Sequence, residues 1–106
     1  MIDKTATGKI NNEIFCEAVD KGLKLLGENV LSQINRYVEE HYHVKGKEID
    51  PETFHKALTT LFGYAATRIL EIRVAKELCS RFDVKFNEHE DWTVVDYVTY
   101  VKKTLG

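Results

Sequence analysis

The stretch Pro51–Phe82, PETFHKALTTLFGYAATRILEIRVAKELCSRF, decides the fold. Its first half carries Phe54, Ala57, Leu58, Leu61 and Phe62 at the three- and four-residue spacing of one helix face. Gly63 interrupts. The second half carries Ala65, Ala66, Ile69, Leu70, Ile72, Val74, Ala75, Leu78, Cys79 and Phe82. On a helical wheel these positions cover well over half the circumference. A helix that is apolar over so wide an arc is surrounded by other elements. Residues 64–82 are therefore predicted to be the central, buried helix. The spacing leaves open whether that helix runs on from residue 51, with Gly63 as a close-packing point, or whether 51–62 and 64–82 are two helices.

Outward from this stretch, helix starts are marked by a recurring signature. Ile49-Asp50-Pro51 precedes Phe54, Trp92-Thr93 precedes Asp96 and Tyr97, and Ile10-Asn11 precedes Phe15. In each, a polar residue can satisfy the first free backbone N–H groups, and an apolar residue before it can pack against one in the first turn. Pro51 stands at the first helical position, where a missing N–H costs nothing. Thr93-x-x-Asp96 approximates a capping box. In 11–26, Ile14, Phe15, Ala18, Val19, Leu25 and Leu26 recur at helical spacing; Gly22 weakens this helix or permits a close approach, and Gly27 ends it. In 29–42, Val30, Leu31, Ile34, Tyr37, Val38 and Tyr42 form the stripe. The short link between the two favours an antiparallel hairpin, with one helix kinked at Gly27 as the alternative. Val84 and Phe86 read as a short extended piece covering the core. The segment 93–105 is rich in residues of high strand propensity. The cap signal and the stripe Val94, Val98, Val101 and Leu105 favour a helix, with Lys102 and Lys103 suiting its C-terminus.

The expected fold is all-α: a single compact domain, residues 10–106, of about five helices at 11–26, 29–42, 51–62, 64–82 and 93–105, preceded by a flexible tail at 1–9. The expected core is Phe15, Leu26, Leu31, Ile34, Phe54, Leu58, Leu61, Ile72, Leu78, Phe82, Val98 and Val101.

Composition narrows the function classes. The chain has 106 residues, 15 Lys+Arg against 17 Asp+Glu, and a formal net charge of -2. A protein that wraps nucleic acid carries a basic excess, so nucleic acid is a disfavoured partner. No run of residues is apolar and long enough to span a membrane, and Met1 to Lys9 lacks the apolar core of a signal peptide. Two cysteines, Cys16 and Cys79, make no disulfide framework and read as buried thiols in a reducing, cytoplasmic setting.

No catalytic residue, cofactor or metal is predicted. His41 and His43 diverge on a helix, His55 and His89 stand far off in sequence, and no zinc-binding spacing joins them to the cysteines. The carboxylates Glu39, Glu40, Glu88, Glu90 and Asp91 read as solvated charges, and no Gly-rich phosphate loop is present. Arg68, Arg73, Lys76 and Arg81 are the candidate nucleic-acid face, but they spread around their helix and have local partners in Glu71 and Glu77. Among the aromatic residues, Trp92, Tyr97 and Tyr100 are the candidate surface for a protein partner, since Tyr and Trp favour interfaces.

Leu61-Phe62-Gly63, Ile69-Leu70-Glu71, Ala75-Lys76-Glu77-Leu78, Arg81-Phe82, and the tail Asp96-Tyr97-Val98 with Val101-Lys102-Lys103 resemble the NitrOD type of small archaeal output domain, over roughly the C-terminal half of the chain. The resemblance implies an all-helical fold and a regulatory role in intracellular signal transduction, and it carries over no catalytic or ligand residue. The expected function is a non-enzymatic regulatory or interaction module. The alternatives are a DNA-binding regulator using the basic helix, or a sensor holding a small apolar ligand beside Gly22 and Gly63.

Overall fold

A computed structural model describes residues 10–106; the tail expected at 1–9 lies outside the described residues. Among the described residues four helices follow one another: α1 (Asn12–Leu23), α2 (Glu28–Tyr42), α3 (Pro51–Arg81) and α4 (Val94–Leu105), with 3-10 turns at Lys24–Leu26 and Gly46–Glu48. No strand occurs among the described residues, and the radius of gyration of 13.3 Å is that of a packed domain of about this length. The chain is thus a compact all-α domain.

The caps act much as their sequences suggest. Asn11 accepts from the N–H of Ile14 at 2.8 Å, and Thr93 and Asp96 form a capping box in which Asp96 accepts the Thr93 N–H at 2.9 Å. Asp50 occupies the N-cap of α3 without a side-chain bond to the backbone, so Pro51 carries that start. Ile10 and Ile49, the apolar residues before two of the caps, are buried. The strand-prone segment after Trp92 is helical because its cap and its apolar stripe agree, and packing then outweighs intrinsic propensity.

The expected fifth helix is instead the second half of α3. That element spans 31 residues, and Gly63 breaks it with φ 82° and ψ 172°. This backbone region is open essentially to glycine alone. Space beside Gly63 is empty, so the residue is there for its backbone and not for close packing. Gly22 is the opposite case. A Cβ there would stand 3.1 Å from the carbonyl oxygen of Arg73 and 3.2 Å from Cα of Val74, so it lets α1 lie directly against the backbone of α3.

α1, α2 and α4 all pack on α3, which makes the whole of Pro51–Arg81, and not 64–82 alone, the centre of the domain. Phe15 of α1 meets Phe54 edge to face at 5.5 Å, and Leu58, Val74, Leu78, Ile34, Val38, Val94 and Val101 complete the interior. Of the expected core, Leu26 is exposed: α1 tightens into a 3-10 turn after Leu23, which rotates Leu25 and Leu26 away from α3. Leu31, Leu61, Ile72 and Phe82 lie half-buried at its edge. Val84 and Phe86 pack on the core in irregular backbone.

Two substitutions test this packing. Leu78→Ala empties a fully buried site and should cost about 2–5 kcal/mol, read as a lowered denaturation midpoint; an unchanged midpoint would place Leu78 outside the core. At position 63, L-alanine should destabilise by about 1–3 kcal/mol, whereas D-alanine introduced by chemical ligation should be tolerated, because a D residue adopts this backbone readily. Equal stability of the two would mean that the break is not held by the left-handed geometry.

Candidate functional site

A recess of about 230 Å³ lies between the two halves of α3 and the segment leading into α4. His55, Tyr64, Thr67, Arg68, Glu71 and Trp92 line it, with Glu90, Asp91 and Thr93 at the α4 side.

Glu71 is the buried charge of this region, with 3% of its surface exposed. One carboxylate oxygen lies 2.8 Å from Nδ1 of His55, in the other half of α3. The second accepts the backbone N–H of Val94, the first residue of α4, at 3.0 Å. A helix N-terminus has free N–H groups and a partial positive charge, so a carboxylate is well placed there. One side chain therefore ties three segments: both halves of the broken helix and the start of the last one. Burial pushes the Glu71 carboxyl above the usual carboxylate range, the His55 bond and the Val94 N–H pull it back, and Asp96 nearby pushes it up again.

Thr67 stands one helical turn before Glu71. It is 2% exposed, and its hydroxyl oxygen has no hydrogen-bond partner among the described residues. Arg68 reaches the other way: its guanidinium meets the Glu88 carboxylate at 3.0 Å and the carbonyl oxygens of His89 and Glu90, which holds the segment before α4 against α3.

The candidate partner surface is partly corrected by this geometry. Tyr97 is buried at 2% exposure, its hydroxyl accepting from the N–H of His89 at 2.9 Å. Trp92 and Tyr100 are half-buried. Trp92 stacks on His89 at 3.8 Å and meets Tyr97 edge to face at 5.0 Å, so these rings form a cluster that closes the end of the domain. The signal for burial was in the sequence, since 94, 97, 98 and 101 share a helical face. The large apolar side chains exposed on α3 are instead Tyr64 and Ile69.

The basic candidates are also redistributed. Arg81 pairs with Glu17 of α1 at 2.8 Å, Lys76 lies 5.7 Å from the centre of the Phe86 ring, and Arg68 is held as above. Arg73 is half-buried, its carbonyl facing Gly22. The local partners expected in Glu71 and Glu77 are not the ones used for these ion pairs.

The histidines occupy separate places. His41 stacks on Tyr37, His43 terminates α2 in the left-handed conformation, His55 meets Glu71 and His89 stacks on Trp92. No three metal-ligating side chains converge among the described residues. Cys16 and Cys79 are buried, and burial pushes both thiols up, away from the reactive thiolate. Neither Gly22 nor Gly63 opens an apolar cavity: one faces backbone and the other solvent. The enclosed void among Phe15, Ile34 and Phe54 is about 10 Å³, room for no more than a water. No helix among the described residues is long and apolar enough to cross a membrane. No family model, curated protein or solved structure matches the chain.

Glu71 supplies the test of this site. Glu71→Ala leaves the Val94 N–H and the His55 ring without their acceptor and should cost at least about 1–3 kcal/mol; Glu71→Gln keeps an acceptor and the volume, and should cost less. Because burial raises the folded-state pKa of Glu71, folding holds a proton that the unfolded chain releases. The stability from this group is full below the ordinary carboxylate value and is lost as pH rises through the raised folded value. Denaturation curves across that window, wild type minus Glu71→Gln, should fall with rising pH. A rising difference would mean that the His55 and Val94 bonds outweigh burial.

Proposed function

We propose that this domain is a non-enzymatic regulatory module of intracellular signalling, working in the cytoplasm, and that it binds a protein partner at the face of α3 around the helix break. The observation that carries this reading is the exposure of Tyr64 (82%) at the rim of this recess, on the helix that otherwise supplies the core. A large aromatic side chain held on a rigid element gives much contact area for little conformational entropy. Tyr, Trp and Arg are the residue types that dominate binding energy at protein interfaces, and Tyr64, Trp92 and Arg68 surround one recess. The resemblance to the NitrOD-type output domain adds the regulatory, archaeal setting.

The DNA-binding alternative through Arg68, Arg73, Lys76 and Arg81 has less support, because Arg68 and Arg81 are matched to carboxylates and Lys76 leans on a ring. A phosphate contact there would have to compete with these partners. The apolar-ligand alternative has less support, because backbone of α3 lies against Gly22 and open space beside Gly63.

Capture from the native lysate with the immobilised domain tests the proposal, comparing wild type with Tyr64→Ser. The position is exposed, so the variant should keep its thermal midpoint. It should retain the partner at least about tenfold less well, the scale of losing one energetic anchor. Equal retention would contradict this surface. Absence of any partner, with turnover in a broad substrate screen, would contradict a non-enzymatic module.

A further inference from the structure

A second exposed apolar surface lies away from the recess. Ile69 is 62% exposed, and its place on the helix, five residues after Tyr64, turns it to a different side. Two contacts fix how α1 runs beside the second half of α3. Glu17 bonds Arg81 at 2.8 Å, and Gly22 abuts the backbone of Arg73 and Val74. The two segments are therefore antiparallel, and one further turn brings Leu25 level with Ile69. Glu17, Lys21 and Leu25 are spaced by four, so they share one stripe of α1, and the Glu17 bond shows that this stripe faces α3. Leu25, 85% exposed, and Ile69 thus flank one seam, with the short side chains of Ala65 and Ala66 a turn before Ile69. Cations border it: Lys21, Arg73, four residues after Ile69, and Lys76. None of them lies within ion-pair distance of a carboxylate among the described residues; Lys76 leans on the Phe86 ring. Against these cations stands Glu77, itself half-buried.

We infer that the seam between α1 and the second half of α3 is a docking surface for an acidic amphipathic helix of a protein partner, separate from the recess around Tyr64. Leu25 and Ile69 offer apolar anchor points on two neighbouring elements. An amphipathic helix lays side chains at i, i+3, i+4 and i+7 against such a surface. Asp or Glu beside that stripe would meet Lys21, Arg73 and Lys76, which sets register and speeds encounter. A second copy of this chain fits worse, because a two-fold pairing sets the same cations against one another. A nucleic acid would match the cations and leave Leu25 and Ile69 facing phosphates.

The experiment is a nuclear magnetic resonance titration of the methyl-labelled domain with a synthetic helical peptide of about 18 residues, built from Leu, Ala and Glu with Leu on one face. The controls are the same peptide with Lys for Glu, and with Ser for Leu. Saturable shifts at the Leu25, Leu26 and Ile69 methyls are expected with the acidic peptide only, with a Kd of about 10–100 μM, weakening as salt is added. The double variant Leu25→Ser, Ile69→Ser should weaken binding at least about tenfold. Lys21→Glu with Lys76→Glu should weaken it at least about threefold. All four positions are exposed, so both variants should keep their thermal midpoints. Tyr64→Ser should bind the peptide as wild type does, which separates this seam from the recess. Equal binding of the lysine peptide, no saturation by about 1 mM, or wild-type affinity in either double variant would overturn the docking surface. Loss of binding in Tyr64→Ser would move the peptide to the recess and overturn it too. A dimer of the domain alone in sedimentation equilibrium, abolished by Leu25→Ser with Ile69→Ser, would give the seam to a second copy and remove the acidic helix.

Discussion

The carboxylate of Glu71 is the constraint around which this small domain is arranged. A buried charge is costly unless it is bonded on all sides, and Glu71 is bonded to a ring from one half of α3 and to the first N–H of α4. Neither partner alone would suffice. Removing the Glu71 carboxyl would orphan both. The apolar interior supplies the driving force for collapse, but it is less selective: Leu and Val side chains tolerate sliding by small amounts, and a carboxylate that must meet two donors at about 3 Å does not.

The helix break is what turns this internal fastening into a surface feature. A straight α3 would present a continuous flank. Gly63 takes a backbone region that other residues avoid, and Tyr64, the next residue, is exposed at the rim of the recess. The segment before α4 is drawn over the second half by Arg68, bringing Trp92, Glu90 and Asp91 to the other side. Fold and recess thus share Glu71 and its neighbours, and a partner seated there would sense the relative placement of three helical segments.

How far the sequence could be read follows from the range of each interaction. Helix starts were legible because capping is local: Asn11, Pro51 and the pair Thr93 and Asp96 act within four residues. The wide apolar arc of 64–82 pointed to a central helix for the same reason. Gly63 was visible as an interruption, but the letter alone does not separate close packing from a left-handed break, and it was the break that the chain uses. Leu25 and Leu26 continued the stripe of α1 on paper, whereas the backbone tightened after Leu23 and turned them outward. The centre of the site was the least legible. Counting along a helix assigns Glu71 to Arg68, three residues away, while its partners lie 16 and 23 residues distant. Arg68 and Arg81 likewise bond across 20 and 64 residues. Such pairings depend on how helices cross, which a single chain of letters does not display.

Amide hydrogen exchange at Val94 tests the role of Glu71 most directly. The first N–H groups of a helix have no partner within it and ordinarily exchange fast. Here the Val94 N–H donates to a buried carboxylate, while Val95, the next residue, has no such acceptor. The account predicts that Val94 exchanges only with global unfolding, as slowly as core amides such as Leu78, and that Val95 exchanges far faster. Exchange of Val94 at the rate of Val95 would show that Glu71 does not hold the start of α4, and would contradict the account at its centre.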